Sequence, residues 1–544
     1  NRLYRLDEEK QLRFQLGYIH DRTTRQYGSE EIYYFAQDTV HTATNRHDRL
    51  KTDCLNAEVN YEDNTVSRYT RENFSFAGTW KSGVSDITGD NAIFQKIKNS
   101  QWELKNYFNQ LYTKEKYTWG IRSYIRYTHC SASLTVAHRN LPILFADNML
   151  IANCIYHRNE LSSSDNISEN TYRTVIGQTH ESILAEYEEM NTGNAYTDNA
   201  LYGMRKINGV NYQLTGGFCG ELSSVKQENA YSAHSYSFYT VPRIEWERND
   251  FLFTAATTVR WTHLPKQSYS RFCVSPFFCF RYKFTPRWKM SLLGSLDESE
   301  GGLKDIYPFR YREDYRTVVK HTGKVPVTVR QLYTCYLEYK NTIKEFFWTL
   351  SASYSHNRYN LITERNYKDG NFYLSSVERN HSSHSYILNT IGSKGIYDWN
   401  LKTSLELTLA RNEGKQLNEG IVQDYRYDYL CVEPKIVWAP SVFFEAEYKA
   451  TVSCVGGGIG EDTSLDPLWE VAQRLTLSLE FHDTEFRLSG EHFYNDLSKN
   501  QHLNIWLADV SLIHKAGKWR FAASAINLFN KEQYRYTLYS AVQS

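Results

Sequence analysis

The chain has 544 residues, and its formal net charge is zero because 62 Lys and Arg residues balance 62 Asp and Glu residues. A neutral chain is a poor general match for nucleic acid or for an anionic membrane surface, so no nucleic-acid partner is predicted. The mean hydropathy is −0.59, and no run of about 18 apolar residues occurs, which excludes membrane-spanning helices.

The aromatic content is unusual. The chain has 43 Tyr, 27 Phe and 12 Trp residues but only 10 Pro. Tyr and Trp favour β-strands, and they also favour membrane–water boundaries, where one end of the ring is wet and the other is not.

Apolar and polar residues alternate with a period of two along almost the whole chain, which predicts strands with one apolar and one polar face. The clearest stretches, in chain order, are 12–18, 55–61, 119–127, 348–354, 399–412, 444–453 and 475–482. Eleven residues of such a strand span roughly 36 Å, and a tilt of about 45° gives roughly 25 Å of height. That height is the apolar band of an outer-membrane barrel.

Two classes of connection separate these strands. Short turn signals occur at 7–9, 62–64, 113–115, 208–209, 248–250, 285–287, 341–343, 393–395, 439–441, 482–484 and 515–517. Longer polar segments lie between them, for example 162–169, 297–315 and 412–424. Two strands per interval predict twenty-odd strands, although one short turn is missing between 115 and 208. Short turns at one end and long loops at the other are the layout of an outer-membrane barrel.

The pattern therefore predicts an all-β chain that forms a large antiparallel transmembrane β-barrel, with short periplasmic turns and long extracellular loops. Residues 1–544 form one barrel domain in this interpretation. A β-propeller also repeats at about 45 residues, but no blade signature recurs here and the strands are too long. A short helix at 181–190 and a glycine-rich loop at 456–460 are the exceptions that we expect.

The nine cysteines form no C-x-x-C pair. Most are expected on the apolar side of strands, as Cys335 and Cys454 are, where they act as small hydrophobic residues and not as a disulfide or metal framework.

The C-terminal segment carries the most specific motif. A strand at 507–512, a tight turn at 515–518 and a return strand at 519–528 lead into Ile526-Asn-Leu-Phe-Asn-Lys531, with Tyr534 three residues further on. This element resembles the N-L-F-N-x-x-x-Y sequence near the end of TonB-dependent outer-membrane receptors. The run Ile306-Tyr-Pro-Phe309, in a long loop ahead of Tyr315, is similar to receptors of the same family.

The resemblance implies a barrel of about 22 strands that takes up a scarce or bulky ligand, with a plug domain in the lumen and an inner-membrane energy-coupling complex as partner. The N-terminal plug, its coupling box and a closing strand with a terminal aromatic residue are not found here, and the sequence stops at 540–544. We therefore expect a fragment, or partners that supply the missing parts. Outer-membrane lipid is the other expected partner.

Two groups of side chains are candidate functional residues. Seven charged residues are expected to face the lumen, where they contact ligand or plug, or form cross-strand charge pairs that keep the lumen solvated: Arg122, Arg126, Lys402, Glu406, Glu445, Glu447 and Lys449. Six tryptophans are expected at the membrane boundaries, with ligand stacking as the alternative: Trp80, Trp119, Trp348, Trp399, Trp506 and Trp519.

No catalytic or metal site is predicted, and no cofactor. The closest histidine pair, His381 and His384, has no Cys or carboxylate at ligand spacing. The adjacent carboxylates Glu188 and Glu189 do not point at a common atom. The sequence favours an uptake receptor over a non-transporting barrel subunit, which would scaffold surface lipoproteins or other outer-membrane proteins; an enzyme is not expected.

Overall fold

The computed structural model describes the whole chain except residues 1, 35–38, 90–92, 139–170, 176–181, 228, 315, 369–370, 461–462, 498–500, 518 and 531–544. The expected loop at 162–169, Tyr315, Lys531, Tyr534 and the segment 540–544 lie outside the described residues. Among the described residues, no helix is long and apolar enough to cross a membrane.

The described chain contains 25 strands and three short 3-10 helices. The helices are Pro265–Gln267, Leu303–Ile306 and Tyr397–Trp399. The strands are β1 Arg2–Arg5, β2 Lys10–Tyr34, β3 Thr39–Asn64, β4 Arg68–Gly89, β5 Ile93–Lys114, β6 Tyr117–His138, β7 Thr171–Val175, β8 Ser182–Ile207, β9 Val210–Lys226, β10 Ala230–Arg248, β11 Phe251–Leu264, β12 Tyr269–Thr285, β13 Trp288–Glu300, β14 Arg310–Arg312, β15 Thr317–Lys320, β16 Val327–Asn341, β17 Phe346–Lys368, β18 Asn371–Ile396, β19 Leu401–Asn418, β20 Ile421–Ser441, β21 Phe444–Ile459, β22 Thr463–Phe481, β23 Thr484–Leu497, β24 Gln501–Ala516 and β25 Trp519–Ala525.

All the strands belong to one sheet. Three short strands, β7, β14 and β15, lie outside its main meander, and the remaining 22 each pair antiparallel with the next in chain order. The expected large antiparallel barrel sheet is thereby confirmed, and a propeller of separate blades is excluded. Within the described residues, β1 pairs with β2 and β25 with β24, and the two edges do not pair with each other.

The sheet has an apolar face and a polar face, set by the alternation along each strand. One row of register partners on the apolar face consists of Leu292, Cys335, Ala352, Leu388, Leu409 and Leu430. A row on the polar face consists of Ser393, Ser404, Lys435, Lys449, Arg474 and Glu491. The two rows overlap on β18, β19 and β20 and differ in hydrophobicity there, so each face meets a different environment.

Eleven short turns join the strands at one end of the sheet, which we name the short-turn end. The Asn208–Gly209 turn has positive φ at both residues, 48° and 82°, which is the two-residue hairpin geometry that Asn-Gly favours. Several predicted turns lie a few residues too early; the residues predicted at 393–395 are in β18, and the chain turns at 397–400. No turn is missing between 115 and 208, because β6 pairs directly with β8 across one long connection.

Four local predictions are wrong. Residues 182–207 form strand β8, so the described part of the helix expected at 181–190 is a strand. Trp399 ends a 3-10 turn and is not in a strand. The glycines at 456–458 belong to β21, where they pair with β20. The return strand β25 ends at Ala525, because Asn527 donates its backbone N–H to Asp509 and turns the chain.

The prediction for the cysteines is also wrong in part. Eight are described and all are free thiols. Cys335 and Cys454 share the apolar face with Leu292 and Leu430. The other six follow the polar parity of their strands: Cys54, Cys130, Cys219, Cys273, Cys279 and Cys431. Small size suits them to this face, where larger tyrosines and arginines take up the space.

The segment 301–326 leaves the main meander and folds against the polar face; we name it the inner strap. Its short strand β15 pairs with β14 and, in parallel, with the start of β18. Ile306 is 0% exposed and packs with Val325 against Ala233 and Leu264. Ala233 and Leu264 have the polar-face parity of β10 and β11. The strap therefore lies on the polar side of the sheet.

Contacts of the inner strap require the sheet to curve. The Arg316 guanidinium donates to the Thr42 hydroxyl of β3 at 3.2 Å and lies 5.4 Å from the ring centre of Phe372 in β18. Eleven main strands separate β3 from β18, which in a flat sheet would place them about 58 Å apart at ~4.8 Å per strand. One side chain reaches both, so the sheet curls around its polar face and encloses it.

Candidate functional site

The enclosed polar face is the candidate site, because it carries charged side chains in mid-strand. All seven charged residues predicted to face the lumen have the parity of this face. The alternation alone therefore placed them together on one face. Their shared parity does not determine which of them contacts a ligand.

The best-connected polar cluster joins β6, β8 and β10. Asp198 accepts a hydrogen bond from the Tyr239 hydroxyl at 2.7 Å and pairs with Arg122 at 3.4 Å. Arg122 also donates to the Tyr239 oxygen at 3.2 Å. These contacts cross three strands, and each group has an oppositely charged or polar partner. The cluster therefore acts first as wall structure that keeps a charged face satisfied.

Arg126 lies one step along the same wall. Its guanidinium is 5.5 Å from the ring centre of Tyr196, and it donates to Asn194 at 3.5 Å. Asn194 in turn donates to Glu221 at 2.6 Å. The cation over the aromatic ring and the amide bridge position a positive charge toward the enclosed space.

A second charged patch lies on β19, β20 and β21. Glu406 accepts a hydrogen bond from Asn389 at 2.8 Å. Glu447 pairs with Lys435 at 3.0 Å, and Lys449 pairs with Glu433 at 3.4 Å. Lys402 and Glu445 share this face of β19 and β21. Since the lysines are about half exposed, these pairs are accessible to solutes in the enclosed space.

Tryptophans lie at two levels of the apolar face. Eleven of the twelve are on strands, and all eleven have apolar-face parity. One level is within four residues of the short-turn end: Trp119, Trp246, Trp288, Trp348, Trp438 and Trp519. The other is the eleventh to thirteenth residue from that end: Trp80, Trp102, Trp261, Trp469 and Trp506.

The two tryptophan levels are separated by a defined height. About ten residues correspond to about 33 Å along a strand and, at a tilt of about 45°, to about 23 Å of height. Girdles of aromatic residues flank an apolar band of about 25 Å in outer-membrane barrels. The sequence predicted this role for six tryptophans, of which five are among these eleven and Trp399 lies in the turn before β19. It missed six others, whose parity could have indicated the same face.

A cavity of about 1130 Å³ is a shallow recess bordered by residues of the apolar face such as Tyr333, Tyr386 and Leu409. Small residues at Cys335, Ala352 and Gly456 leave this space between larger neighbours. It lies on the apolar face, where the ion-paired Arg411, Arg426 and Asp428 also border it, and not on the enclosed polar face, so we do not treat it as the passage site.

His381 and His384, the closest histidine pair in the sequence, have separate partners in the structure. His384 lies on β18, where its Nδ1 is 3.3 Å from His356 Nδ1 across the strand pair. His381 stacks on Tyr359 with ring centres 4.8 Å apart. His381 and His384 both lie on β18 and have opposite parity, so their side chains project to opposite faces of the sheet. In the described part of the chain, no group of three or more His, Cys, Asp or Glu residues could hold a metal ion.

The inner strap is the part of the site that the sequence did not predict. Three polar contacts tie it to distant strands. The backbone N–H of Arg312 donates to both carboxylate oxygens of Glu188 at 3.1 and 3.0 Å. The Tyr307 hydroxyl donates to Gln227 at 3.0 Å, and Arg316 reaches Thr42. An apolar run inside a polar loop, 306–309, was the available signal for a buried segment.

Comparisons with known proteins identify the fold. No family profile matches the sequence, and no curated protein matches it. Among solved structures, the outer-membrane transporter YddB from Escherichia coli is similar at 10% identity and a TM-score of 0.50, over 92% of this chain and 75% of that one. The copper transporter OprC is 9% identical with a TM-score of 0.48, over 94% and 83%. The siderophore receptor PirA from Pseudomonas aeruginosa is 10% identical with a TM-score of 0.42, over 92% and 80%.

The fold is therefore that of the β-barrel of an outer-membrane transporter. At 10% identity the likeness to YddB is one of fold alone. The chain resembles the TonB-dependent outer-membrane receptors in this fold, in agreement with the resemblance of its C-terminal motif to that family.

Proposed function

We propose that the protein is a receptor-like barrel of the bacterial outer membrane that takes up a scarce or bulky ligand through its enclosed polar face. The observation that carries this proposal is the pairing of two features on one sheet. An apolar face bears tryptophans at two levels about 23 Å apart, and a charged, solvated face curls inward. Lipid suits the first face and an aqueous passage suits the second.

Active uptake needs an energy source, so an inner-membrane coupling complex is the partner in this proposal, as the family resemblance implies. Outer-membrane lipid is the other partner. A scaffold role with surface lipoproteins is the competing function, but no described contact favours it. The lumen charges then take part in passage of the ligand as well as in wall structure.

A deletion strain tests the proposal. Growth and uptake are measured with iron, copper, cobalamin and oligosaccharides supplied one at a time at limiting concentration, with and without a protonophore. We expect the deletion to slow growth on at least one nutrient, and the protonophore to abolish the same uptake in the parent strain. Unchanged uptake of every nutrient, together with outer-membrane proteins that co-purify with the barrel, would instead establish the scaffold.

A further inference from the structure

The recess on the apolar face has a floor of small and aliphatic side chains. This floor is one row of register partners across β16 to β21: Cys335, Ala352, Leu388, Leu409, Leu430 and Cys454. Six strands spaced about 4.8 Å apart make the floor roughly 24 Å wide. It is therefore broad enough for several acyl chains side by side.

The rim of the recess is the next row on the same face, two residues further from the short-turn end. It consists of three tyrosines, an ion pair and a glycine: Tyr333, Tyr354, Tyr386, Arg411, Asp428 and Gly456. The rings of Tyr333 and Tyr354 stack with their centres 6.5 Å apart, and the ring centre of Tyr386 is 5.0 Å from that of Tyr354. The purely apolar surface ends at this row.

The rim lies at the tryptophan level that is farther from the short-turn end. Tyr386 and Arg411 are each the eleventh residue of their strands, counted from that end. The five tryptophans of this level are on β4, β5, β11, β22 and β24, and β16 to β21 have the tyrosines and Arg411 in their place. Because aromatic girdles mark the boundary of the hydrocarbon, the floor lies at acyl-chain depth and the rim at headgroup depth.

Two arginines share one carboxylate at this rim. Arg411 Nε lies 2.6 Å from Asp428 Oδ1, and Arg426 Nε lies 3.0 Å from Asp428 Oδ2. Glu413 is the register partner of Arg426 but forms no ion pair with a described residue. The arginine side chains are 49% and 53% exposed. Since a guanidinium also donates from both Nη groups, each arginine can bind a further anion from outside the chain.

The combination of floor and rim selects the occupant. Guanidinium groups bind phosphate oxygens in bidentate geometry. A soluble anion would leave the apolar floor uncovered, and an apolar protein segment would leave the Nη groups without an acceptor. A second copy of this chain in a two-fold contact would bring its own Arg411 and Arg426 against the same patch, where like charges repel. A lipid covers the floor and supplies the anion.

We propose that the recess binds a phosphorylated lipid with several acyl chains, which lie on the floor while a phosphate contacts Arg411 and Arg426. The breadth of the floor favours several chains over one. The inference requires only that the apolar face meets lipid, and it does not depend on uptake. A lipid that binds the folded barrel and not the unfolded chain stabilises the barrel, so the site holds β16 to β21 in the membrane.

Native mass spectrometry of the whole protein in detergent tests the site, with lipid A and dephosphorylated lipid A as probes. We expect one lipid A per chain. The dissociation constant should rise about fivefold in Arg411→Gln and in Arg426→Gln, because each removes one cation beside the phosphate. Dephosphorylated lipid A should bind the wild type more weakly than lipid A does, and neither substitution should weaken it further.

Two more variants separate the recess from the rest of the face. Ala352→Phe fills the floor and should weaken the binding of both lipids. Lys51→Gln is the matched control, because Lys51 is on the same face, is 48% exposed and pairs with Asp53 at 3.5 Å, but does not border the recess. This control should bind both lipids as the wild type does. The unfolding midpoint without lipid shows that each variant folds.

Three results would overturn the proposal. The first is equal affinity of the wild type and both arginine variants for lipid A, or equal affinity of the wild type for the two lipids. The second is unchanged lipid A binding in Ala352→Phe, which would place the lipid elsewhere. The third is a lipid-free dimer that Ala352→Phe abolishes, which would assign the recess to a second copy of the chain.

Discussion

Asp198 on β8 accepts hydrogen bonds from two partners, Tyr239 on β10 and Arg122 on β6. Removal of its carboxylate leaves the Tyr239 hydroxyl without this acceptor and leaves Arg122 its bond to the Tyr239 oxygen, on a partly exposed wall. We expect Asp198→Ala to lower the free energy of unfolding by about 1 kcal/mol, because the cluster is half solvated and its charges are screened. Urea titration of the protein in lipid vesicles measures this change.

The control for Asp198 is a more exposed pair on the same face. Glu485 pairs with Arg487 at 2.8 Å, and their side chains are 31% and 54% exposed. Glu485→Ala should leave the unfolding midpoint unchanged, because water replaces the lost partner. If both variants lost the same free energy of unfolding, the Asp198 cluster would contribute no more to stability than an exposed ion pair.

At the scale of elements, the inner strap contains one group that titrates near neutral pH. Burial lowers the pKa of His321 from its ordinary value of 6.5, and the nearby carboxylates of Asp305 and Glu313 only partly offset this. Its Nδ1 lies 3.2 Å from the Ser376 hydroxyl of β18, and its Nε2 lies 3.5 Å from the Tyr311 hydroxyl. The strap folded against the wall therefore favours neutral His321. A strap released from the wall exposes the ring to water, so the ring takes up a proton more easily.

The sign of the pH effect follows from that difference. The pKa of His321 in the folded strap lies below its value when the strap is released from the wall. The folded strap is therefore at full stability above about pH 6.5 and loses stability as the pH falls below that value. We expect the hydrogen-exchange protection of the Thr317–Lys320 amides, corrected for the pH dependence of intrinsic exchange, to drop between about pH 7.5 and about pH 5.5. The His321→Asn variant should lose most of this pH-dependent decrease in protection. An equal decrease in the variant would mean that other titratable groups cause it.

At the scale of the whole molecule, period-two alternation was enough to predict the sheet, its two faces and most of its short turns. It was enough because every mid-strand residue of a barrel faces one of two environments. Turn positions were displaced by up to a few residues, as at 393–395, because strands continue beyond the apolar band with polar residues on both faces.

Two parts of the fold could not be read from the sequence. The inner strap depends on pairs such as Arg312 with Glu188, which are 124 residues apart; no local pattern encodes such a contact. The helix expected at 181–190 was wrong because the pairing of β8 with β6 overrides local propensity. Parity places the charged candidates together on the polar face, but their partners, such as Tyr239 for Arg122, come from strands that only the register brings together.

Tryptophan fluorescence in lipid vesicles tests the central claim most directly, because all eleven strand tryptophans lie on the apolar face. If that face meets lipid, phospholipids brominated on their acyl chains quench most of the emission, while aqueous iodide quenches little beyond Trp399 in its exposed turn. Strong quenching by iodide and none by the brominated lipids would place the apolar face against water or protein and would contradict the outer-membrane barrel.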